Sequence, residues 1–226
     1  LYSRAVAIPA LVKALRPKQW AKNVLVVAAP FAAGRLLEPS VAANVAVAFV
    51  AFCLASSAVY LLNDVRDAPK DRLHPEKKNR PIASGQVAPS AAVVLAVVAL
   101  VASLALSTLA EPALLWVIVT YLVLQLLYVF GLKNQPVLDL AVIASGFLLR
   151  ALAGGAATDI AISDWFLLVA GFGSLFVVAG KRYSELVTLE AEEGEVGQTR
   201  SSLLSYTSTY LRFVWTVAAA VTVMVY

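Results

Sequence analysis

The sequence predicts an all-α polytopic bundle that lies in a membrane, and three observations carry that prediction. Hydrophobic residues make up 61% of the chain and charged residues only 14%, where a soluble domain carries roughly 25% charge. The chain divides into apolar runs near the ~20 residues that a helix needs to cross the hydrocarbon. Its bases, finally, collect on one side of those runs. The candidate spans are 23–37, 41–62, 87–110, 113–131, 137–158, 165–180 and 204–226. One side receives Arg4, Lys13, Arg16, Lys18, Lys22, the bases from Arg66 to Arg80, Lys133, Lys181, Arg182 and Arg200. The other side holds Arg35, Glu38, Glu111, Asp159 and Asp164. The positive-inside rule places the basic side, with the N-terminus and the long charged loop, in the cytoplasm, so the expectation is a multi-pass protein of the plasma (inner) membrane.

Arg16, Lys18, Trp20 and Lys22 precede or open the first span. Lys18 and Lys22, at i and i+4, share a face of an α-helix. That face suits either interfacial anchoring, with Trp20 at the headgroups, or a site for a lipid phosphate. The single cysteine, Cys53, sits in the apolar run 41–62. It reads as a small buried hydrophobe, and a lone thiol excludes a disulfide framework or a thiolate metal site.

The stretch 63–85 puts Asp64, Asp67, Asp71 and Glu76 among Arg66, Lys70, Arg72, Lys77, Lys78 and Arg80, between two long apolar runs. Carboxylates at the end of a membrane helix are costly, so they point to function. If the helix runs on past Leu62, Asn63, Asp67 and Asp71 share one face, with Asp64 beside it. Hard oxygen donors ringed by Lys and Arg suit Mg²⁺, with Mn²⁺ as its substitute, holding a substrate that carries diphosphate. The lone histidine, His74, precedes Pro75 and reads as part of a turn.

The loop after the fourth span holds Lys133, Asn134 and Asp139. Arg150 lies deep enough in the fifth span to need a partner, which the sequence does not name, so an ion pair and a substrate contact both stay open. Lys181, Arg182 and Tyr183 close the sixth span, as positive-inside flanks or as phosphate ligands. The stretch 190–197, with four glutamates, reads as a solvated loop. No Ser-His-Asp or Cys-His set, Walker A loop or zinc spacing occurs, which argues against hydrolase, ATPase and zinc chemistry.

The run Asn63-Asp64-x-x-Asp67-x-x-x-Asp71, followed by Arg72, His74-Pro75, Lys77, Arg80-Pro81 and Ser84-Gly85, resembles the first aspartate motif of the UbiA-type intramembrane prenyltransferases. The resemblance implies nine helices around a lipid-facing cavity capped on the cytoplasmic side. The whole chain, 1–226, would then be one such domain lacking its last two helices. The family's second aspartate motif is due after the sixth helix, where this chain has Lys181-Arg-Tyr-Ser-Glu-Leu186. With the stretches 16–23, 132–139, 146–155 and 180–186, that departure is similar to a branch that transfers phosphoribose.

What that likeness implies is a soluble donor, 5-phosphoribosyl-1-diphosphate, and a lipid acceptor, decaprenyl (polyprenyl) phosphate. Pyrophosphate leaves, and the product feeds arabinan synthesis for the cell wall. One metal site then suffices, held by Asn63 and Asp67 with Asp64 and Asp71 in or near the shell, and Asp64, Asp67 and Asp71 are the catalytic residues. Tyr60, Lys70, Lys77, Arg80, Lys133, Asn134, Lys181, Arg182 and Tyr183 are the candidates for the donor, and Lys18 and Lys22 for the lipid phosphate. Nucleic acid is not an expected partner, and self-association into a homo-oligomer is left open. The nearest competing reading is prenyl transfer from a prenyl diphosphate to an aromatic acceptor. A non-enzymatic carrier of phosphorylated lipid is the other, and it predicts charge at the bilayer midplane or inverted repeats.

Overall fold

The structure, a computed structural model, describes residues 8–191 and 203–226. Arg4, Arg200 and the acidic stretch from residue 192 onward lie outside the described residues. Every regular element among the described residues is helical: α1 (Ile8–Ala14), a 3₁₀ segment (Pro17–Val27) running into α2 (Ala28–Ala32), α3 (Pro39–Asp71), α4 (Pro89–Ser107), α5 (Pro112–Phe130), α6 (Leu138–Thr158), α7 (Asp164–Ala191) and α8 (Ser208–Val225). Proline starts α3, α4 and α5, its missing N–H being one the first turn leaves unbonded anyway.

Six helices among the described residues, α3 to α8, are long and apolar enough to cross a membrane. The protein is therefore a multi-pass membrane protein. The first expected span, 23–37, is corrected: it is no single α-helix but the end of the 3₁₀ segment, then α2, then turns. It nevertheless lies along the bundle. At about 2.0 Å per 3₁₀ residue and 1.5 Å per α residue, Pro17–Ala32 reaches roughly 30 Å. Its start meets α3 near Asp64 through Arg16, and Val26 meets α6 at Gly154. A Cβ on Gly154 would lie 2.0 Å from the Val26 carbonyl oxygen, so only glycine permits this approach. The sixth expected span is present as α7, and only its end is corrected: α7 runs past Gly180 to Ala191 and makes Lys181, Arg182 and Tyr183 helical.

The interior is built on α3. Phe52, Ala55 and Val59 of α3 pack with Ile118 and Tyr121 of α5 and with Leu149 and Ala153 of α6. On its other side Ala58 and Leu61 meet Ala92, Ala96 and Ala99 of α4 and Ala14 of α1. Small side chains at these contacts let helix backbones come close, which drives packing where lipid removes the hydrophobic incentive. A third cluster joins α6 to α7 and α8 through Leu140, Ala144, Val178, Leu186, Tyr206 and Leu211. Cys53 is buried, as expected, with its sulfur accepting from Asn23 Nδ2 at 3.3 Å.

Candidate active site at the charged end of the bundle

Helix α3 continues nine residues past Leu62, which places the acidic row on an ordered helix. At about 100° per residue, Asn63 and Asp67 lie ~40° apart, and Asp64 and Asp71 lie ~20° apart on the neighbouring stripe. The structure divides the row accordingly. Lys133, on the one-turn 3₁₀ helix Leu132–Asn134, donates to Asp67 Oδ1 at 2.6 Å and to Asn63 Oδ1 at 3.4 Å. Asp64 and Asp71 instead share Arg80, whose Nη1 lies 3.3 Å from Asp64 Oδ1 and 2.6 Å from Asp71 Oδ2. Arg16 closes on Asp64 as a fork, with Nε to Oδ2 at 3.0 Å and Nη2 to Oδ1 at 2.5 Å. Its guanidinium stacks over Tyr60, 5.0 Å from the ring centroid.

Burial separates the two pairs further. The Asp64 side chain is 4% exposed and that of Asp71 is 7%, whereas Asp67 keeps 26%. Asp64 and Asp71 therefore organise guanidinium groups from two distant segments, and Asp67 faces the solvent side. Three carboxylates are matched by Arg16, Arg80 and Lys133, and Arg72, just past the end of α3, donates to the Ala83 carbonyl at 3.2 Å. Lys70, seven residues after Asn63, is exposed in line with Asn63 and Asp67. Lys77 is half-buried and Asn134 exposed, and each interacts with neighbouring groups. His74 Nδ1 accepts the Glu76 N–H at 3.2 Å, the turn role expected of it.

Lys18 and Lys22 do not share a face, and this is a correction. In a 3₁₀ helix positions i and i+4 stand about a third of a turn apart. Lys18 borders a groove of ≈ 630 Å³ with Lys13 and Arg16, while the Lys22 ammonium sits over the Phe147 ring at 5.8 Å. Trp20 turns inward and donates to Ser57 Oγ at 3.0 Å. That hydroxyl donates in turn to the Leu15 carbonyl at 2.8 Å, which pins the 3₁₀ segment to α3.

Arg182 and Tyr183 also stand apart from the acidic row. Arg182, 4% exposed, donates to Asp139 Oδ2 at 3.1 Å and to Glu185 at 2.6 Å. Tyr183 stacks on Trp215 of α8 with centroids 6.0 Å apart. Lys181 is exposed, 3.9 Å from Glu185. Among the described residues no hydrogen bond or ion pair joins these three to Asn63, Asp64, Asp67 or Asp71.

Four features of this end of the bundle escape sequence reading: the partners of Arg150 and of Arg16, the placement of Tyr206, and two backbone conformations. Among the described residues Arg150, 5% exposed, finds only neutral hydrogen-bond partners: Asn23 Oδ1 at 2.7 Å, the Gly146 carbonyl at 2.5 Å and the Tyr121 hydroxyl at 3.0 Å. Tyr121, 4.9 Å from its guanidinium, and Phe52, at 5.8 Å, add their ring faces. Asn23 is its partner across 127 residues, and no spacing signals that. Arg16 is the second, since nothing local marks it as the fork for Asp64. The third is Tyr206, whose hydroxyl donates to Asp139 Oδ1 and accepts the Val137 N–H at 2.6 Å. Its burial, with that bond to Asp139, raises the phenol above its ordinary pKa. The fourth is backbone conformation. Arg16 (φ 56) and Val137 (φ 68) are two of the three non-glycine residues at positive φ among the described residues. Each conformation costs about 1–3 kcal/mol and persists only where its surroundings impose it.

Among the described residues no three His, Cys, Asp or Glu side chains form a metal cage. Mg²⁺ commonly uses one or two protein ligands plus substrate phosphate and water, so none is needed. The oxygens of Asn63 and Asp67 already converge on one cationic atom, the Lys133 ammonium. That donor pair fits such an ion.

Comparison with known proteins agrees with this architecture. The UbiA prenyltransferase family profile matches residues 24–226. The chain is 53% identical over 223 residues to decaprenyl-phosphate phosphoribosyltransferase of Mycolicibacterium smegmatis, covering 97% of this chain and 69% of that protein. It is equally 53% identical over 220 residues to the protein of that name from Corynebacterium glutamicum, covering 96% and 65%. The fold is similar to a UbiA homolog from Archaeoglobus fulgidus solved with GPP and Mg²⁺, with TM-score 0.77, 17% identity, and coverage of 96% of this chain and 76% of that one. Helical architecture, the acidic row on α3 and the match over nearly the whole chain lead to one conclusion: this protein belongs to the UbiA prenyltransferase family.

Proposed function

We propose that the protein transfers the 5-phosphoribosyl group from 5-phosphoribosyl-1-diphosphate to a polyprenyl phosphate and releases pyrophosphate. The observation that carries this reading is the 53% identity, over 97% of the chain, to a relative named for that type of transfer. The site supports it. Carboxylates aligned along one helix face occur on α3, while the corresponding end of α7 offers Lys181 and a buried Arg182–Asp139 pair. One acidic row suits a single diphosphate substrate.

A phosphate oxygen of the lipid attacks C1 of the ribose as the C1–O bond to pyrophosphate breaks. The nucleophile is already an anion near neutral pH, so no side chain has to remove a proton. Asn63 and Asp67 would hold Mg²⁺, which would supply charge neutralisation to the diphosphate and make it a better leaving group. Lys133, Lys70, Lys77, Arg80 and Asn134 receive the donor's phosphates, and Arg80 acts as a fork oriented by Asp64 and Asp71. Tyr60 and Asp64 keep Arg16 in place beneath them. Lys18 and Lys22 attract the lipid phosphate from separate faces of the 3₁₀ segment. Arg182 and Tyr183 serve the scaffold. The charged end faces the cytoplasm, where the soluble donor is.

The test is a transfer assay in nanodiscs with Mg²⁺. It pairs labelled 5-phosphoribosyl-1-diphosphate with decaprenyl phosphate, and in parallel a prenyl diphosphate with an aromatic acceptor. Label in the lipid from the first pair is expected. Product from the second pair alone would replace this reading with prenyl transfer, the reaction suggested by the fold neighbour solved with GPP.

A further inference from the structure

Between Lys133 and helix α6 the chain makes a turn that its own residues disfavour. The Leu138 N–H donates to the Pro136 carbonyl at 2.8 Å, closing a three-residue γ-turn with Val137 at φ 68, ψ −51 in its centre. This positive-φ form of the γ-turn is rare, and a β-branched residue is poorly suited to it. The turn has no slack on the Lys133 side. The Asp139 N–H donates to the Gln135 carbonyl at 3.1 Å, and the Gln135 N–H to the Leu132 carbonyl at 3.0 Å. The direction taken at Val137 therefore sets where the Leu132–Asn134 turn, and with it Lys133, stands against Asn63 and Asp67.

The group that holds the turn comes from another part of the chain. Tyr206, between α7 and α8, accepts the Val137 N–H at 2.6 Å and gives its own hydroxyl proton to Asp139. The other oxygen of Asp139 accepts from Arg182. One hydroxyl thus ties the centre of the turn to the first turn of α6, while its ring stacks on Tyr210 at 5.8 Å.

We propose that Tyr206 is a positioning residue for the transfer: by fastening Val137 in its γ-turn it holds Lys133 beside the Asn63–Asp67 pair, within reach of the donor's phosphates. Its catalytic consequence rests on the function proposed above. A residue that merely packs α8 against α6 would act through its ring, which phenylalanine retains.

The experiment compares Tyr206→Phe, Val137→Gly and the double variant in the full chain, reading the KM of each substrate and hydrogen exchange over residues 132–139. Tyr206→Phe should raise the donor KM roughly tenfold, the scale of a lost hydrogen bond to a charged group. The acceptor KM should stay unchanged and amide exchange in the loop should speed up. Val137→Gly should behave as wild type, because glycine adopts the positive φ freely. In the double variant it should recover most of the donor KM. Val137→Pro, which removes the N–H and forces a negative φ with Tyr206 intact, should reproduce the donor defect and covers the case in which Tyr206→Phe misfolds. Unchanged donor KM and exchange in Tyr206→Phe, equal effects on both substrates, or strict additivity in the double variant would overturn the proposal. If the wild type transfers no phosphoribose, the functional reading fails, and the exchange data still decide whether Tyr206 holds the turn.

Discussion

Lys133 and Asp67 form an ion pair of 2.6 Å across 66 residues of sequence, and Asn63 completes the site from one helical turn earlier. This contact joins the loop before α6 to the acidic row of α3. It also separates the partly exposed carboxylate of Asp67 from those of Asp64 and Asp71, which are buried against guanidinium groups.

That separation predicts different fates for two neighbouring aspartates. Asp67→Ala should abolish transfer and leave the midpoint of thermal unfolding within a few degrees of wild type, because Asp67 is partly exposed and Lys133 can return to water. Asp64→Ala should lose activity and also about 2–4 kcal/mol of stability. It strands two guanidinium groups at a buried carboxylate site, with the figure moderated by the partial exposure of Arg16. Transfer assays with thermal unfolding in the same detergent check both.

Gly154→Ala tests the packing of the 3₁₀ segment. Its Cβ would meet the Val26 carbonyl at 2.0 Å, and backbone cannot yield as a flexible side chain does. Destabilisation of about 1–3 kcal/mol or more is expected, read as a lower unfolding midpoint. Gly173→Ala, with nothing within 4 Å of its Cβ, is the control and should be silent.

Chelation should stop turnover without unfolding the protein. Asp64, Asp67 and Asp71 each have a basic partner within the chain, so the fold does not depend on a metal to balance them. EDTA-treated protein should keep its unfolding midpoint, and added Mg²⁺ or Mn²⁺ should restore transfer.

The raised pKa of Tyr206 predicts a pH signature with a definite sign. A group that binds its proton more tightly when folded stabilises the native state below its unfolded pKa, near 10 for tyrosine, and that contribution is lost as pH rises through the folded value. Wild type should therefore lose stability above about pH 10 more steeply than Tyr206→Phe, with no difference in slope near pH 7. Unfolding midpoints across that range provide the comparison.

The acidic row was legible in the sequence because helical periodicity is local: once α3 passes Leu62, four side chains at i, i+1, i+4 and i+8 must fall on adjoining stripes. Six of the seven expected spans, those of α3 to α8, were legible because an apolar run of membrane length is also a local signal. What escaped depends on tertiary placement. The 3₁₀ form of Pro17–Val27 changes which residues share a face, and it parted Lys18 from Lys22. Arg150 met its partner Asn23 on a different element. Arg182, read as a phosphate ligand, was drawn instead to the buried Asp139, and Tyr206 reached Val137 across 69 residues. Apolar periodicity carries no information about such pairings.

The most direct test follows the oxygen atoms. Polyprenyl phosphate labelled with ¹⁸O on its phosphate is incubated with unlabelled 5-phosphoribosyl-1-diphosphate and Mg²⁺, and both products are weighed by mass spectrometry. All of the label should appear in the lipid-linked phosphoribose and none in the pyrophosphate. Label in the pyrophosphate, or a prenylated product without its phosphate, would contradict the assignment of the lipid as nucleophile and of the α3 site as the clamp for a soluble diphosphate.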